Sequence, residues 1–274
     1  MKPDQRAWLL PWRPGAATRL GTFIQVPSAA LTGYLAALPF DFLFIDAEHC
    51  PFDAADINTA IAAAEPYAMP CIVRVAGVDP VLIKQALDAG AAGVMAPCIE
   101  TADQARAVVM AARFPPLGRR GCGPGRATGY GRDIAHYIQQ ADARVAVIVQ
   151  IETRAAVENL DSILAVEGID MLFIGPGDLS VAYRAAPGDD PVDPAPLVLR
   201  IVERCQAAGM RVATFAGGIE DARRAEALGM DAVVLASDML FAGWGAGHAL
   251  QSLGRDVGKK AGDGTTPYGP RDPS

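Results

Sequence analysis

The chain alternates between short apolar runs and longer segments with a helical repeat, and this alternation limits what it can fold into. Eight of the runs have the length and continuous hydrophobicity of buried strands. They cover residues 22–26, 42–46, 71–75, 93–97, 145–152, 171–175, 211–216 and 232–236. Because amphipathic segments such as 79–91 and 219–230 separate most of the runs, we predict parallel strands with helices packed outside them.

Eight parallel strands in about 230 residues match the size of a (β/α)8 TIM barrel, an α/β fold in which helices surround a closed ring of strands. An open, doubly wound sheet is the alternative. It is disfavoured because no G-x-G-x-x-G fingerprint lies between a strand and a helix early in the chain. We predict one (β/α)8 barrel domain over residues 1–258 and a flexible C-terminal tail over residues 259–274.

The composition argues against several classes of protein. Of the 274 residues, 51% are hydrophobic, which is enough for a sizeable core. The net charge of −7 and the lack of a basic block argue against nucleic acid as a partner. No apolar run approaches the roughly 18 residues of a membrane span, and the N-terminus mixes charges and prolines where a signal peptide would be apolar. We therefore expect a cytoplasmic protein whose five cysteines are free thiols.

Polar side chains gather where the predicted strands end. In a barrel of parallel strands, these carboxyl ends surround the catalytic mouth. Residues of this kind lie at or just after the ends of the second, third, fifth and sixth runs: Asp46, Glu48, His49, Arg74, Gln150, Glu152 and Asp178. A single acid after a strand is commonly a helix N-cap, but several polar strand ends that converge in one fold favour an active site.

Glu152 and Asp178 follow neighbouring strands, where two carboxylates repel each other unless a cation lies between them. Oxygen ligands suit a hard divalent ion, so the pair predicts a Mg²⁺ or Mn²⁺ site with positions left for substrate and water. Spacing alone leaves another interpretation equally open, in which one acid caps a helix and the other pairs with an arginine.

Arg74 and His49 are the other candidates for chemistry. Arg74 lies inside an apolar strand and needs an anion, either a neighbouring acid such as Asp88 or a substrate oxyanion, and we favour the oxyanion. His49 follows two acids at a strand end, where a carboxylate can fix its tautomer for work as a general base. A purely structural histidine fits the sequence equally well.

The four lysines give no nucleophile for a Schiff base. Lys2, Lys259 and Lys260 lie near the termini and Lys84 lies within a predicted helix, so none ends a barrel strand. An enzyme of carbonyl chemistry built on this chain would need a metal ion as its electron sink.

Two further segments carry predictions. Residues 114–132 form a long Gly- and Arg-rich loop, and loops of this length are often functional. Its basic residues Arg119, Arg120, Arg126 and Arg132 suit an anionic second substrate, or else are solvated or form ion pairs between subunits. The predicted last helix, 238–253, carries the apolar residues Met239, Leu240, Phe241 and Trp244. An exposed patch of this kind predicts a homo-oligomer, unless the helix simply closes the helical ring of its own barrel.

Five ordered motifs, from about residue 18 to residue 250, carry a family resemblance. They read FLFIDAEHCPFD, VRVAGVDPVLIKQALDAGAAGVMAPCIETADQA, FPPLGRRG, VQIETRAAVENLDSILAVEGIDMLFIGPGDLS and LGMDAVVLASD. They resemble the metal-dependent (class II) 2-oxo-acid aldolases, the family of 4-hydroxy-2-oxoheptanedioate aldolase and 2-dehydro-3-deoxyglucarate aldolase. Such proteins are (β/α)8 barrels that make or break a carbon–carbon bond next to a pyruvate-type enolate.

The resemblance implies a role for each catalytic candidate. Glu152 and Asp178 resemble the metal ligands, with Asp178 also close to substrate. Arg74 resembles the arginine that binds substrate and stabilises the enolate oxygen. His49 resembles the base, and Asp46 resembles the residue that orients it.

The resemblance also implies supporting roles. Glu48 would lie near the metal through a water molecule, and Gln150 would contact pyruvate. The backbone amides of Gly175 and Gly177 resemble the cradle for the 2-oxo-acid carboxylate. Asp88 would be an acid behind the site or at a subunit interface. The substrates would be a small 2-oxo acid and an aldehyde, and the favoured assembly would be a homo-oligomeric hexamer.

Two alternatives stay open. A Claisen-type enzyme on the same scaffold, citrate-forming or acyl-CoA-cleaving, would share the metal and Arg74 but would need a thioester pocket. A catalytically idle barrel is disfavoured, because it would have no physical reason to keep Glu152 next to Asp178.

Overall fold

The computed structural model describes residues 17–184 and 192–255, and within them eight strands form a barrel. The strands are β1 (Arg19–Ile24), β2 (Phe42–Asp46), β3 (Cys71–Arg74), β4 (Gly93–Ala96), β5 (Ala146–Ile151), β6 (Met171–Ile174), β7 (Arg211–Ala216) and β8 (Ala232–Ser237). Each strand pairs in parallel with the next, and β8 pairs with β1, so the barrel is closed. The predicted tail, 259–274, lies outside the described residues.

Helices fill every connection between the strands. They are α1 (Ala29–Ala36), α2 (Ala54–Ala64), α3 (Pro80–Asp88), α4 (Ala102–Ala112), α5 (Ile134–Arg144), α6 (Arg154–Glu158), α7 (Leu160–Leu164), α8 (Pro176–Ala182), α9 (Ala195–Ala207), α10 (Ile219–Ala227) and α11 (Asp238–Ser252). A closed barrel of eight parallel strands with helices between them agrees with the predicted (β/α)8 architecture and excludes the open sheet. No helix in the described chain is long and apolar enough to cross a membrane.

Local sequence fixes where several of these helices begin. The Asp53 carboxylate accepts from the Asp56 backbone N–H, and the Asp56 carboxylate accepts from the Asp53 N–H, which forms a capping box at the start of α2. Thr101 and Gln104 do the same at the start of α4. These caps satisfy backbone donors that the first helical turn leaves free, and so they fix where α2 and α4 begin.

Alternate residues of each strand face the barrel interior and the surrounding helices. In β2, Phe42 and Phe44 belong to the interior cluster, whereas Leu43 and Ile45 pack with the helices. The interior cluster consists of Phe23, Phe42, Phe44, Ile72, Ala92, Met95, Ala146, Ile148, Met171, Phe173, Ala213, Ala232 and Val234. The barrel is therefore filled by side chains and is not a pore.

A layer of aromatic rings lies directly below the mouth of the barrel. The ring centroid of Phe44 lies 5.4 Å from that of Phe23 and 5.8 Å from that of Phe173. The inward-facing positions two residues after Phe44, Ile72 and Ile148 are polar. They are Asp46, Arg74 and Gln150. These rings form an apolar layer, the aromatic floor, directly beneath the polar side chains of the mouth.

The last helix, α11, has little cover from the rest of the described chain. Its buried residues are Asp238 and Gly247, while Met239 is 56% exposed and Leu250 is 44% exposed. The Phe241 ring packs against Phe40, with centroids 6.3 Å apart. Within the described chain, Met239 and Leu250 leave apolar surface exposed on this helix.

Candidate active site

Asp46 and Arg74 form a buried ion pair at the mouth of the barrel. They are direct partners in the parallel register of β2 and β3. Arg74 Nε donates to Asp46 Oδ1 at 3.0 Å, and Arg74 Nη2 donates to Asp46 Oδ2 at 2.7 Å. Asp46 is therefore the anion that neutralises the buried Arg74 in the structure. This fork does not use the Nη1 group, which keeps N–H donors for another acceptor.

The surroundings hold this pair in its charged form. Burial alone would raise the pKa of Asp46, but the hydrogen bonds and the charge of Arg74 hold it below its ordinary value of 3.8. Burial also works against the charge of Arg74, yet Asp46, and then Glu48 and Glu152, raise its pKa. The Arg74 Cζ lies 4.8 Å from the centroid of the Phe23 ring, a cation–π contact with the aromatic floor. Arg74 is thus a fixed positive charge in a poorly hydrated place.

The turn after β2 wraps Glu48 and His49 around the same carboxylate. Asp46 Oδ1 accepts from the backbone N–H groups of Glu48 and His49, each at 3.2 Å, and Cys50 Sγ donates to Oδ2 at 3.4 Å. The His49 side chain is 64% exposed, and its Nε2 lies 3.6 Å from Glu48 Oε2. Asp46 therefore orients His49 through its backbone, and the carboxylate next to the imidazole is that of Glu48.

Gln150 and Glu152 extend from the end of β5 into the mouth. Gln150 Nε2 donates to Glu152 Oε2, and Glu152 Oε1 accepts from the Cys98 backbone N–H at 2.7 Å. The Gln150 side chain is almost fully buried, and its Oε1 has no hydrogen-bond partner within the described residues. Because an unsatisfied buried polar atom is costly, this oxygen marks a place for a group that binds from outside.

Three residues bring potential metal ligands together. One ligand atom each from Glu48, Cys98 and Glu152 lies within 4.8 Å of the other two. Burial raises the pKa of Glu152 above its ordinary value of 4.5, the Cys98 hydrogen bonds oppose this, and the charge of Asp178 adds to it. Burial likewise raises the pKa of Glu48, with Arg74 opposing. Two neighbouring carboxyls whose pKa values are raised by burial are the situation that a divalent cation relieves.

The free ligand capacity of these groups fits a hard divalent ion. Glu48 Oε2 lies 3.2 Å from Arg74 Nε, but that N–H is directed at Asp46. The same Glu48 oxygen is buried and has no hydrogen-bond partner in the described part of the chain. Glu152 Oε1 accepts from Cys98 and Oε2 accepts from Gln150, and these bonds leave lone pairs on the carboxylate for an ion. Carboxylate oxygens with free lone pairs are the ligands that Mg²⁺ and Mn²⁺ prefer.

Asp178 lies in the first turn of α8, directly after the strand next to that of Glu152. Asp178 is exposed, and its negative charge raises the pKa of both Glu152 and Cys98. It is not one of the three residues whose ligand atoms lie within 4.8 Å of one another. The structure therefore groups Glu48 with Glu152, whereas Asp178 acts on Glu152 through its charge, so Glu48 has a more central place than the sequence indicates.

Gly175 allows the chain to pass close to Glu152. A Cβ atom at this position would lie 2.9 Å from Glu152 Cβ and 3.1 Å from Gln150 Nε2. Its backbone N–H donates to the Ile151 carbonyl at 3.1 Å, so this amide is engaged within the barrel and does not belong to the predicted carboxylate cradle. Gly177 is the second residue of α8, where a backbone N–H has no acceptor within the helix, so this amide stays a candidate for the predicted cradle.

Asp88 lies outside this group of side chains. It is the last residue of α3, and its Oδ1 accepts from Arg120 Nη2 at 2.8 Å. The Arg120 side chain is fully buried against two rings, with its Cζ 4.8 Å from the Phe114 centroid and 5.4 Å from the Tyr137 centroid. Within the subunit, Asp88 therefore fixes the long loop to α3 and does not hold Arg74.

The arginines of the 114–132 loop divide into two groups. Arg120 is buried against Asp88, and Arg126 forms an ion pair with Glu65, so both are fixed within the chain and are not free for an anionic substrate. This corrects the expectation that all four are available to a substrate, solvated or paired between subunits. Arg119 and Arg132 are exposed.

Cys98 is the member of the site for which the sequence predicts only a free thiol. The signal that marks it is its position, because it directly follows the fourth apolar run. Burial raises the pKa of its thiol to about 12, and the neighbouring Glu152 adds to the effect.

The sequence is similar to those of proteins with named activities. The profile of the family described as HpcH/HpaI aldolase/citrate lyase matches residues 19–242. A 2-keto-3-deoxy-L-rhamnonate aldolase of Salmonella gallinarum is 38% identical over 232 residues, which are 82% of this chain and 84% of that protein. A 2-dehydro-3,6-dideoxy-6-sulfogluconate aldolase of Pseudomonas putida is 41% identical over 199 residues, which are 72% of this chain and 78% of that protein.

Solved structures also superpose closely on this chain. A HpcH/HpaI aldolase/citrate lyase family protein from Burkholderia cenocepacia superposes with a TM-score of 0.83 at 33% identity, covering 92% of this chain and 99% of the other. A citrate synthase superposes with a TM-score of 0.75 at 27% identity, covering 87% and 94%. This chain therefore belongs to the HpcH/HpaI aldolase/citrate lyase family, and it is a divalent-metal-dependent aldolase, a carbon–carbon lyase.

Proposed function

We propose that the enzyme cleaves 4-hydroxy-2-oxo acids to pyruvate, or a close 2-oxo acid, and an aldehyde, and that it also catalyses the reverse addition. The two curated relatives act, by their names, on 2-oxo acids of the 3-deoxy sugar type, which supports this substrate class. The observation that carries the proposal is the position of Arg74. Two hydrogen bonds to Asp46 hold its guanidinium in place directly beside the Glu48 carboxylate.

We assign the metal to Glu152 and Asp178, with Glu48 close by through water and Mg²⁺ or Mn²⁺ as the ion. When bound, the ion supplies Lewis-acid polarisation of the 2-oxo group. The two hydrogen bonds that Glu152 accepts, from the Cys98 amide and from Gln150, fix the direction of its remaining lone pairs. Such anchoring of a ligand by its neighbours is a general requirement of a catalytic metal site.

Arg74 has the charge and the fixed geometry to stabilise an enolate. Cleavage of the bond between carbons 3 and 4 moves an electron pair toward carbon 2 and leaves negative charge on the oxygen there. The Nη1 edge of Arg74 offers N–H donors to that oxygen, and the fork to Asp46 prevents the guanidinium from turning away. A donor preorganised in a poorly hydrated site stabilises the transition state without first reorganising solvent.

His49 is the proposed base at the substrate hydroxyl. Its imidazole is exposed at the mouth and has the Glu48 carboxylate at 3.6 Å. In the cleavage direction the 4-hydroxyl proton passes to His49, directly or through a water molecule, while the carbon–carbon bond breaks, and the enolate then takes a proton at carbon 3 from His49 or solvent to give the 2-oxo acid. In the synthetic direction the same group returns the proton to the new hydroxyl oxygen.

Gln150 and Gly177 are proposed to position the 2-oxo acid. The Gln150 amide is held by Glu152, so its orientation is fixed before substrate binds, and its oxygen, which has no partner in the described chain, can accept from a substrate hydroxyl. The Gly177 N–H, at the beginning of α8, suits the substrate carboxylate. Gly175 lies beside the Gln150 amide and, because it has no side chain, leaves room for this amide and for the substrate.

A Claisen-type reaction is the second candidate. The citrate synthase that superposes on this chain supports it, because the same barrel there carries a different reaction. Such an enzyme would use Arg74 and the metal in the same way but would bind oxaloacetate or an acyl-CoA thioester. The two candidates therefore differ in substrate and share the enolate chemistry.

The open apolar surface of α11 supports a homo-oligomer, for which we favour a hexamer. We place the enzyme in the cytoplasm and treat residues 1–258 as one catalytic domain. The substrates are small molecules, and no role for nucleic acid or a membrane is proposed.

A substrate panel with metal control tests the proposal. Metal-free enzyme is supplied with Mg²⁺, Mn²⁺ or EDTA, and pyruvate release is measured from several 4-hydroxy-2-oxo acids. Acyl-CoA consumption is measured in parallel with oxaloacetate. We expect metal-dependent release of pyruvate, its loss in Glu152→Ala and Asp178→Ala, and normal activity in the matched surface variant Glu158→Ala. Full activity in EDTA would contradict the proposal, and turnover restricted to the thioester would favour the Claisen reaction.

A further inference from the structure

Cys98 places a sulphur atom among the carboxylates of the metal site, and no step of the proposed reaction uses it. Its Sγ and one oxygen each of Glu48 and Glu152 all lie within 4.8 Å of one another. Its backbone N–H also donates to Glu152 Oε1 at 2.7 Å. The residue is thus tied to a proposed metal ligand through its main chain while its side chain faces the same small volume.

The local backbone is held in an uncommon conformation. Cys98 has a φ of +53°, in the left-handed region that non-glycine residues seldom adopt. It directly follows Pro97 at the end of β4, so the chain leaves the strand and turns at once. In this conformation the amide and the thiol of one residue both reach the Glu152 carboxylate.

A second observation points to a bound group at the same place. Gln150 is 1% exposed, its Nε2 donates to Glu152, and its Oε1 has no partner among the residues that the structure describes. The site thus combines two carboxylates, a thiol and an unsatisfied amide oxygen. Cys50 provides a contrast, because its thiol already donates to Asp46 and does not belong to the group.

We propose that Cys98 is a thiolate ligand of the divalent ion and gives this site a higher preference for Co²⁺ and Zn²⁺ over Mg²⁺ than oxygen ligands alone would give. The inference rests on the metal site of the proposed function. On binding, the sulphur donates a lone pair to the ion and the thiol proton passes to solvent, so no oxidant or reductant is needed. Sulphur ligands favour Co²⁺ and Zn²⁺, whereas Mg²⁺ favours oxygen.

Cobalt reports sulphur ligation directly, without any measurement of turnover. Co²⁺ alone is titrated into the metal-free full-length protein, and the near-ultraviolet sulphur-to-cobalt charge-transfer absorption is recorded. The test variant is Cys98→Ser, which keeps a small polar side chain. The matched control is Cys122→Ser, which replaces another exposed free cysteine in the 114–132 loop. Mn²⁺ binding, followed by electron paramagnetic resonance, shows separately whether the carboxylate site is intact.

We expect the band in the wild type and in Cys122→Ser, and its loss in Cys98→Ser. Co²⁺ affinity should fall by at least about tenfold in Cys98→Ser, since even indirect neighbours of a metal change affinity by that much. Mn²⁺ affinity should change far less. Stoichiometric Co²⁺ binding without the band in the wild type would overturn the sulphur ligand and leave the proposed function intact. Failure of every divalent ion to bind would overturn both.

Discussion

Gly175 and Glu152 approach each other so closely that the space between them has no room for a methyl group. A Cβ atom at Gly175 would lie 2.9 Å from Glu152 Cβ and 3.1 Å from Glu152 Oε2. The close approach joins the end of β6 to the carboxylate at the end of β5. It explains why the tight turn into α8 starts with glycine, and it makes the position of Glu152 sensitive to one added carbon.

Gly175→Ala should therefore displace Glu152 and weaken the metal site. We expect divalent-ion affinity to fall by about tenfold or more, and the overpacked contact to cost about 1–3 kcal/mol of unfolding free energy. Calorimetric titration with Mn²⁺ and denaturant unfolding measure the two effects. Gly121→Ala is the control, because a Cβ atom there would meet nothing within 4 Å. Wild-type metal affinity in Gly175→Ala would show that the contact is easily relieved.

Asp46→Asn should destabilise the protein strongly at neutral pH. It leaves the buried Arg74 without its countercharge, and breaking a buried pair costs about 3–5 kcal/mol. The folded-state pKa of Asp46 lies below its ordinary value of 3.8, so its stabilising contribution is fully present above that pH. It is lost as the pH falls through the lowered folded-state pKa.

The difference in unfolding free energy between wild type and Asp46→Asn should accordingly shrink in acid. Denaturant unfolding at a series of pH values measures it. Asp103→Asn is the control, because its pair with Arg106 is exposed and should contribute at most about 1 kcal/mol. A difference for Asp46→Asn as small as that of the control would mean that Arg74 finds another partner.

Metal binding should weaken at a higher pH than isolated glutamates would suggest. Burial raises the pKa of Glu48 and of Glu152 above 4.5, so protons compete with the cation before that value is reached. Mn²⁺ affinity measured downward from pH 7 should fall to half of its neutral value at a pH above 4.5. Glu48→Gln should make the fall less steep, because one of the two competing carboxyls is gone. A half-point at or below pH 4.5 would contradict the raised pKa values.

The exposed face of α11 predicts assembly in solution. Met239 and Leu250 are exposed apolar residues on this helix, and burying them between subunits would remove the patch from water. Light scattering coupled to size exclusion should give a homo-oligomer, with a hexamer favoured. Met239→Glu combined with Leu250→Glu should shift the protein to smaller species, while Leu117→Glu, at an exposed position on the 114–132 loop, should not. A monomer at micromolar concentration for the wild type would oppose the assembly.

The fold could be predicted from the sequence because barrel strands are continuous apolar runs. β2 and β7 begin and end at the predicted residues. β1 was expected at 22–26 but covers Arg19–Ile24, because its pairing with β8 starts at Arg19 opposite Ala232. The first two residues of β1 are not buried, so they carry no apolar signal.

The site was predictable in its members but less so in its contacts. Polar residues at strand ends identify Asp46, Arg74 and Glu152, yet the pairing of Asp46 with Arg74 depends on the register of two strands. From the sequence we favoured a substrate oxyanion for Arg74 and named Asp88 as an alternative, whereas in the structure its partner is Asp46. The place of Cys98 depends on a left-handed backbone conformation after β4, which nothing in the local sequence indicates.

The most direct test of the central claim is the exchange of pyruvate methyl protons with deuterated solvent, followed by NMR in the absence of any aldehyde. This exchange reports enolate formation alone. We predict rapid exchange with Mg²⁺ or Mn²⁺, none in EDTA, and recovery when the ion is restored. Arg74→Lys should slow exchange by about 10²-fold or more, because lysine lacks the planar fork and reaches less far. The exposed control Arg106→Lys should exchange normally. Exchange at the wild-type rate in EDTA or in Arg74→Lys would contradict the account.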